Sequence, residues 1–439
     1  MKKVALISFG CAKNLVDSEV MTGYLGRAGY TFTSNPGDAD IIILNTCGFI
    51  EPAKEEARSA LREAVALKRE GKEKKVIAVG CYVERYKDSL MEKHPEIDTW
   101  IGVNDFDKIV QAIEGKPFRE SKNCFLYDHN SPRFIQTPPA WTYVKISEGC
   151  SHECSFCAIP LIKGPYRSRP ISSILQEVEE LSLRGFKEIN LISQDTTFFG
   201  RDQGLEEGLS LLLQELLQVK KIEWIRILYG YPDEISDSLL ETMQEEKICS
   251  YLDIPFQHSS SRILKKMKRG MDGRRALKLI QKLRKKNPDI ALRTSLVVGF
   301  PGEGKKEFED LKKFIREAKF DHLGVFTYSK EEGTASSTLG DPVREIVKRR
   351  RKEKIMEIQT EISLQNNRKY LNKRIDVLIE GTLKENSSIL IGRGRFQAPE
   401  VDGLILMDAP GIWSKVVNTV QEVEITGWDV YDLYGKLPQ

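Results

Sequence analysis

The chain has 439 residues, with 67 Lys and Arg against 64 Asp and Glu and a formal net charge of +3, a near balance that gives no global electrostatic pull toward nucleic acid or an anionic membrane. No apolar run approaches the ~20 residues of a membrane span, and the run from Val4 to Phe9 is shorter than the ~7–15-residue core of a signal peptide. A cytosolic protein of about two to four domains is expected, one in which clustered cysteines mean metal more often than disulfide.

The first elements read as strands that each end in a cysteine. Lys3-Val-Ala-Leu-Ile-Ser-Phe-Gly-Cys11, Ile41-Ile-Ile-Leu-Asn-Thr-Cys47 and Val76-Ile-Ala-Val-Gly-Cys81 are short apolar runs, separated by helical segments at Val16 to Arg27 and Pro52 to Lys68. That alternation predicts a parallel α/β sheet, and ligands collect outside the carboxyl ends of such strands. Cys11, Cys47 and Cys81 should therefore converge on one edge. They read either as a second cluster site with an open iron or as buried structural thiols; Cys124 and Cys249 lack this register and read as structural.

After a helix ending near Glu114 comes a turn-rich stretch, and then Thr137-Pro-Pro-Ala140, which reads as a linker. The predicted domains are 1–125, 137–368 and 369–438. In the second, strand candidates run from Thr142 to Ser147, Glu188 to Ser193, Trp224 to Tyr229, Tyr251 to Gln257, Ala291 to Val298 and His322 to Tyr328. Helical patterns between them include Ser172 to Arg184, Leu209 to Val219 and Gly304 to Ala318. Six βα units in about 190 residues predict an open barrel, with its active site at the C-terminal mouth.

The loop after the first of these strands carries Cys150-Ser-His-Glu-Cys154-Ser-Phe-Cys157. Three thiolates at this spacing can hold three irons of a cubane cluster and leave the fourth open for chemistry. A zinc site using His152 is the alternative, but no second CxxC or HxxxH pair occurs to complete one. Other strand ends offer Gln194 and Asp195, Gln257 and His258, and Gly299-Phe-Pro-Gly-Glu303, as a cofactor pocket or as ordinary βα turns.

Val343 to about Tyr370 lacks Gly and Pro and reads as a helix roughly 40 Å long at ~1.5 Å per residue. Its block Lys348-Arg-Arg-Arg-Lys352 reads as a solvated face, with a ribosome or RNA contact as the alternative. Arg374 to Glu380, Ser388 to Gly392, Leu404 to Met407 and Glu422 to Thr426 predict a small antiparallel barrel. From Lys369 onward there are ten Asp and Glu against eight Lys and Arg, a balance better suited to a basic protein partner than to RNA.

The C-x3-C-x2-C pattern resembles the signature of the radical S-adenosylmethionine (SAM) superfamily. Together with Gly10-Cys11-Ala-Lys-Asn-Leu-Val-Asp-Ser-Glu19, Arg167-Ser-Arg-Pro170, Gln194-Asp195-Thr196, Tyr251 to His258 and Ala398-Pro-Glu-Val-Asp-Gly403, it resembles the methylthiotransferase family of RimO type over nearly the whole chain. The resemblance implies two 4Fe-4S clusters, on Cys11, Cys47 and Cys81 and on Cys150, Cys154 and Cys157. It further implies SAM as cofactor, with Phe156, Gln194 and Gln257 as candidate SAM contacts, and a C-terminal TRAM barrel. The implied reaction is methylthiolation of the β-carbon of an aspartate in small-subunit ribosomal protein S twelve by a cytoplasmic monomer, with separate electron and sulfur donors. The related tRNA adenosine methylthiotransferases and a non-enzymatic iron–sulfur RNA-binding protein are the alternatives.

Overall fold

The computed structural model describes residues 1–71, 74–408 and 415–438; residues 409–414, within the expected third domain, lie outside them. The N-terminal region runs β1 (Lys3–Ser8), α1 (Ala12–Arg27), β2 (Thr31–Phe32), β3 (Ile41–Thr46), α2 (Glu51–Glu70), β4 (Lys75–Gly80), α3 (Cys81–Lys93), β5 (Thr99–Ile101) and α4 (Ile109–Glu114). All five strands are parallel, in the order β2-β1-β3-β4-β5. β3 is buried at every position, as a central parallel strand covered on both faces requires. Ala57, Ala60, Leu61, Ala64 and Val65 make the buried stripe of α2 at helical spacing.

A second sheet follows the polar connector. Its strands are β6 (Trp141–Lys145), β9 (Glu188–Ile192), β10 (Trp224–Ile227), β11 (Ile248–Asp253), β12 (Ala291–Val298) and β13 (His322–Thr327), while β7 (Ser147–Glu148) and β8 (Arg167–Ser168) form a small pair at its rim. The six strands are parallel in the order β13-β12-β11-β10-β9-β6, and β6 and β13 do not pair. The predicted open six-stranded sheet is therefore present. The helices around it are α5 (Ile159–Lys163), α6 (Ile171–Leu183), α7 (Gly208–Leu217), α8 (Asp237–Thr242), α9 (Ser261–Lys266), α10 (Gly273–Lys286) and α11 (Lys305–Ala318). The core between sheet and helices is a continuous set of Leu, Ile, Val and Phe, each fully buried side chain contributing about 1.5–3 kcal/mol.

α12 (Glu345–Arg368) is the expected long helix, but its basic block is not wholly solvated. Lys348 is buried, donating to the Tyr328 carbonyl (2.9 Å) and pairing with Asp341 (2.6 Å), and Arg351 pairs with Glu303 (2.8 Å). Gly299 permits this approach. It sits at φ +79°, and a Cβ there would lie 2.4 Å from the Lys348 side chain.

The chain ends in a closed barrel of β14 (Arg374–Leu383), β15 (Asn386–Gly394), β16 (Ile405–Asp408), β17 (Val420–Trp428) and β18 (Leu433–Lys436). Four of these strands were expected; the short β18, with no long apolar run, closes the ring between β16 and β17. The loop from Arg393 to Gly403 plugs the open sheet. Arg393 and Arg226 both pair with Glu188, at 2.5 and 2.7 Å, and Arg393 also pairs with Glu380. The Tyr143 hydroxyl donates to Glu400 (2.8 Å) and that of Tyr251 to Asp402 (2.8 Å). The motif Ala398 to Gly403 thus fastens two domains together. α1 enters the same lumen, so Val16 and Val20 share one core with Tyr143, Ile192, Tyr251, Leu378 and Ala398.

Burial works against the charge on Glu188, but Arg393 and Arg226 outweigh it and lower its pKa. Its contribution to stability is therefore complete above the ordinary carboxylate range and lost as pH falls through the lowered value. Glu188→Gln leaves the buried Arg226 guanidinium without a carboxylate and Arg393 with Glu380 alone, and should cost about 3–5 kcal/mol. Urea unfolding followed by limited proteolysis should show the C-terminal barrel released at lower urea; an unchanged midpoint would contradict this account.

Candidate active site

β1, β3 and β4 end at Ser8, Thr46 and Gly80, one to three residues before their cysteines. Cys11 then occupies the N-cap of α1, Cys47 follows β3 directly and Cys81 begins α3. Two close approaches bring the three loops together. A Cβ on Gly10 would lie 3.0 Å from the Cys47 sulfur, and one on Gly48 would lie 2.6 Å from the Tyr82 Cα beside Cys81. Glycine is needed there because no side chain fits.

Asn14, one helical turn after Cys11, ties these loops. Its Nδ2 donates to the carbonyls of Phe9 (3.0 Å) and Thr46 (3.4 Å), and its Oδ1 accepts from the Cys81 thiol at 3.7 Å. Asn45 completes the lattice by donating to the Asn14 carbonyl and the Ser18 hydroxyl, both at 2.9 Å. Burial pushes the Cys47 thiol up to about 11, with Cys11 adding to it, and Cys81 well above the usual thiol range. These three thiols are drawn up around one space, with no cation at hydrogen-bonding distance to neutralise thiolates among the described residues.

The second cysteine loop leaves β7 at the C-terminal mouth of the open sheet. Cys150, Cys154 and Cys157 are all part-buried; burial raises Cys150 to about 11 and Cys157 to about 12. Arg269 reaches the Cys154 sulfur at 3.6 Å and lies 3.9 Å from the Tyr231 ring centroid. Tyr231 in turn stacks on His152 at 3.8 Å, and His152 Nε2 lies 2.5 Å from Asp195. His152, the fourth ligand a zinc site would use, is thus engaged elsewhere. Among the described residues no three His, Cys, Asp or Glu side chains converge as they would on a single metal ion. Each trio of thiols matches the donor set of a cluster closed on three irons.

Four buried charges join the two loops. Asp17 comes from α1, six residues after Cys11; Lys145 and Glu148 flank the end of β6, just before Cys150; Lys163 ends α5, just after Cys157. Lys145 pairs with Asp17 and with Glu148 (2.6 Å), and Lys163 lies 3.2 Å from Asp17 and 3.4 Å from Glu148. Burial disfavours the Glu148 carboxylate, but the two ammonium groups outweigh it and hold its pKa low. Lys13, two residues after Cys11, crosses toward the second domain, its ammonium 3.3 Å from the Ser193 carbonyl and 3.3 Å from the Tyr229 ring centroid. Tyr229 is held at φ 62° and Gln257 at φ 68°, backbone states that cost of order 1 kcal/mol or more and cluster at functional sites.

The expected SAM contacts are dispersed around this mouth. Gln194 donates from Nε2 to Glu148, while its buried Oε1 has no hydrogen-bond partner, an acceptor free for an incoming ammonium or hydroxyl. Gln257 bridges to Leu296 of β12 through its backbone. Phe156 is partly buried against the cluster formed by Ile263, Leu264, Met267, Val297, Phe300 and Tyr328. His258 accepts at Nδ1 from the amides of Ser259 and Ser260, and its buried Nε2 has no partner, with Glu303 3.6 Å away. Cys124 and Cys249 are both buried outside these loops. Asn14, Asp17, Lys145, Lys163 and Tyr231 were not singled out from the sequence; the helical register of Asn14 and Asp17 after Cys11 was the one available signal.

Comparison with known proteins agrees with this layout. Residues 3–102 match the family described as uncharacterized protein family UPF0004, residues 144–315 the radical SAM superfamily and residues 373–437 the TRAM domain. The ribosomal protein uS12 methylthiotransferase RimO of Pelobacter propionicus is 43% identical over 100% of this chain and 98% of its own length. That of Aquifex aeolicus is 44% identical over 99% of this chain and 97% of its own. Among solved structures, the radical SAM methyltransferase TsrM from Kitasatospora setae superposes with a TM-score of 0.54 at 13% identity, over 74% of this chain and 73% of that one, a likeness of fold.

Asn14→Ala removes every contact that ties the three N-terminal cysteine loops through this side chain and should cost about 1–3 kcal/mol. In iron-free protein at mildly alkaline pH, Cys47 and Cys81 should then alkylate faster, as measured by mass spectrometry, while Cys150 and Cys157 keep their rates. Equal rates at all four in variant and wild type would contradict the role given to Asn14.

Proposed function

This chain belongs to the RimO family of ribosomal protein uS12 methylthiotransferases, and we propose that it performs that reaction, adding a methylthio group to the β-carbon of an aspartate of uS12. The observation that carries the reading is the buried set Asp17, Lys145, Glu148 and Lys163, which holds the two cysteine trios against one another. Cys150, Cys154 and Cys157 would hold one 4Fe-4S cluster and Cys11, Cys47 and Cys81 the other. When bound, these clusters and SAM supply the radical that removes hydrogen from an unactivated carbon and the sulfur that replaces it, chemistry that acid–base side chains cannot provide.

The chain's own residues supply position and dryness. α1 and the plug from Arg393 to Gly403 fill the lumen of the open sheet, leaving the C-terminal mouth as the approach. Gln194, fixed through Nε2 by Glu148, offers its spare Oε1 to SAM, and Arg269 and Tyr231 wall the cysteine loop. Among the described residues Lys13 has no carboxylate within salt-bridge distance, which suits it to face the carboxylate of the substrate aspartate from between the trios. The protein works as a cytoplasmic monomer, with an electron donor and a sulfur donor as separate partners.

The test uses anaerobically reconstituted protein. The wild type should hold about eight irons, convert SAM to 5'-deoxyadenosine and methionine, and give uS12 the mass gain of a methylthio group on aspartate. Alanine at all three cysteines of either trio should remove about half of the iron. The second trio's variant loses 5'-deoxyadenosine formation as well. Lys13→Gln should keep iron and 5'-deoxyadenosine while raising KM for uS12. Methylthioadenosine in tRNA with unmodified uS12 would overturn the assignment.

A further inference from the structure

The short stretch from Arg262 to Lys286 contains twelve Lys and Arg against a single acidic residue, Asp272, in a chain whose net charge is only +3, so the rest of the molecule is net negative. Ten of the twelve are exposed. On α10 the inward face is Ala276, Ile280 and Leu283, and Arg274, Lys278, Lys282 and Lys285 recur at helical spacing on the opposite face. At ~1.5 Å per residue the helix carries this stripe for about 20 Å, and α9 with the following turn extends it.

The stripe runs into the candidate active site. The Ser155 amide donates to the Met267 carbonyl (3.0 Å) and its hydroxyl to that of Lys266 (2.7 Å). Lys268 pairs with Glu153 (3.0 Å) of the cysteine loop. Several of the cations are used internally: Arg262 pairs with Glu307, Arg275 with Asp233, and Lys282 and Lys286 with Asp237. Among the described residues Lys265, Lys266, Arg274, Lys278 and Lys285 have neither a salt bridge nor a side-chain hydrogen bond. Five unpaired exposed cations on one ridge repel one another, and an outside polyanion relieves that repulsion.

We infer that the α9–α10 ridge is a docking track for the RNA of the small ribosomal subunit, so that the enzyme meets its aspartate in an RNA-bound setting. The inference rests on the uS12 reading above. Phosphate oxygens are the matching ligand, and because each cation releases condensed counterions, binding should depend steeply on salt. The C-terminal barrel, acidic on balance, is left free to face basic protein.

The test measures binding of reconstituted enzyme to purified small ribosomal subunits across a salt series, beside turnover of a free uS12 peptide that contains the aspartate. Gln at Lys265, Arg274, Lys278 and Lys285 together should weaken subunit binding at least about ten-fold and flatten the salt slope by about four units, roughly one per lost phosphate contact. Peptide turnover should not change. Exchanging Lys265, Lys278 and Lys285 for Arg should preserve binding and so separate charge from folding. Unchanged subunit affinity in the Gln variant, or equal affinity of the wild type for tRNA, would overturn the inference. Should uS12 be modified neither as the free peptide nor within the subunit, the uS12 reading fails while the salt series still decides the ridge.

Discussion

Asp17, Lys145, Glu148 and Lys163 lie out of water, and none can be moved without stranding the others. One comes from the N-terminal domain and three surround the radical-SAM-type cysteine loop. A buried ion pair adds little net stability against an apolar replacement, yet losing one partner is expensive. Such a set therefore fixes geometry rather than strength. Since Asp17 sits on the same helix as Cys11, and Glu148 and Lys163 bracket the loop of Cys150, Cys154 and Cys157, the position of one trio follows from the other.

The same device recurs at the other junctions. Glu331, after β13, receives Lys54 of α2 at 3.0 Å and Arg85 of α3 at 2.8 Å. Arg133 of the connector joins Glu19 of α1 (2.6 Å) to Glu177 of α6 (2.8 Å). Glu188 and Asp402 hold the C-terminal barrel to the open sheet. Each junction pairs buried carboxylates with cations across elements of different domains. The result is a frame that can tolerate strained backbone at Tyr229 and Gln257, both at strand ends facing the site.

Local chemistry was legible in the sequence and long-range pairing was not. The cysteine spacing at 150–157, the apolar runs before Cys11, Cys47 and Cys81, and the alternation of strands and helices are short-range signals, and they led to the two parallel sheets. Lys348 and Arg351 read as a solvated face because two of their partners, the Tyr328 carbonyl and Glu303, lie 20 and 48 residues away in sequence. β18 escaped notice because a four-residue strand, exposed at half its positions, carries almost no periodicity. Asp17 and Glu19 were visible only as parts of a motif; their work as fasteners depends on partners more than a hundred residues away.

The central claim is that the two cysteine trios form one site, set by the four buried charges. Pulsed electron paramagnetic resonance on the reconstituted, reduced protein tests it most directly. The account predicts magnetic coupling between two clusters in the wild type and its loss or broad dispersion in Asp17→Asn with iron content retained. Two uncoupled clusters in the wild type, or coupling unaffected by Asp17→Asn, would contradict it.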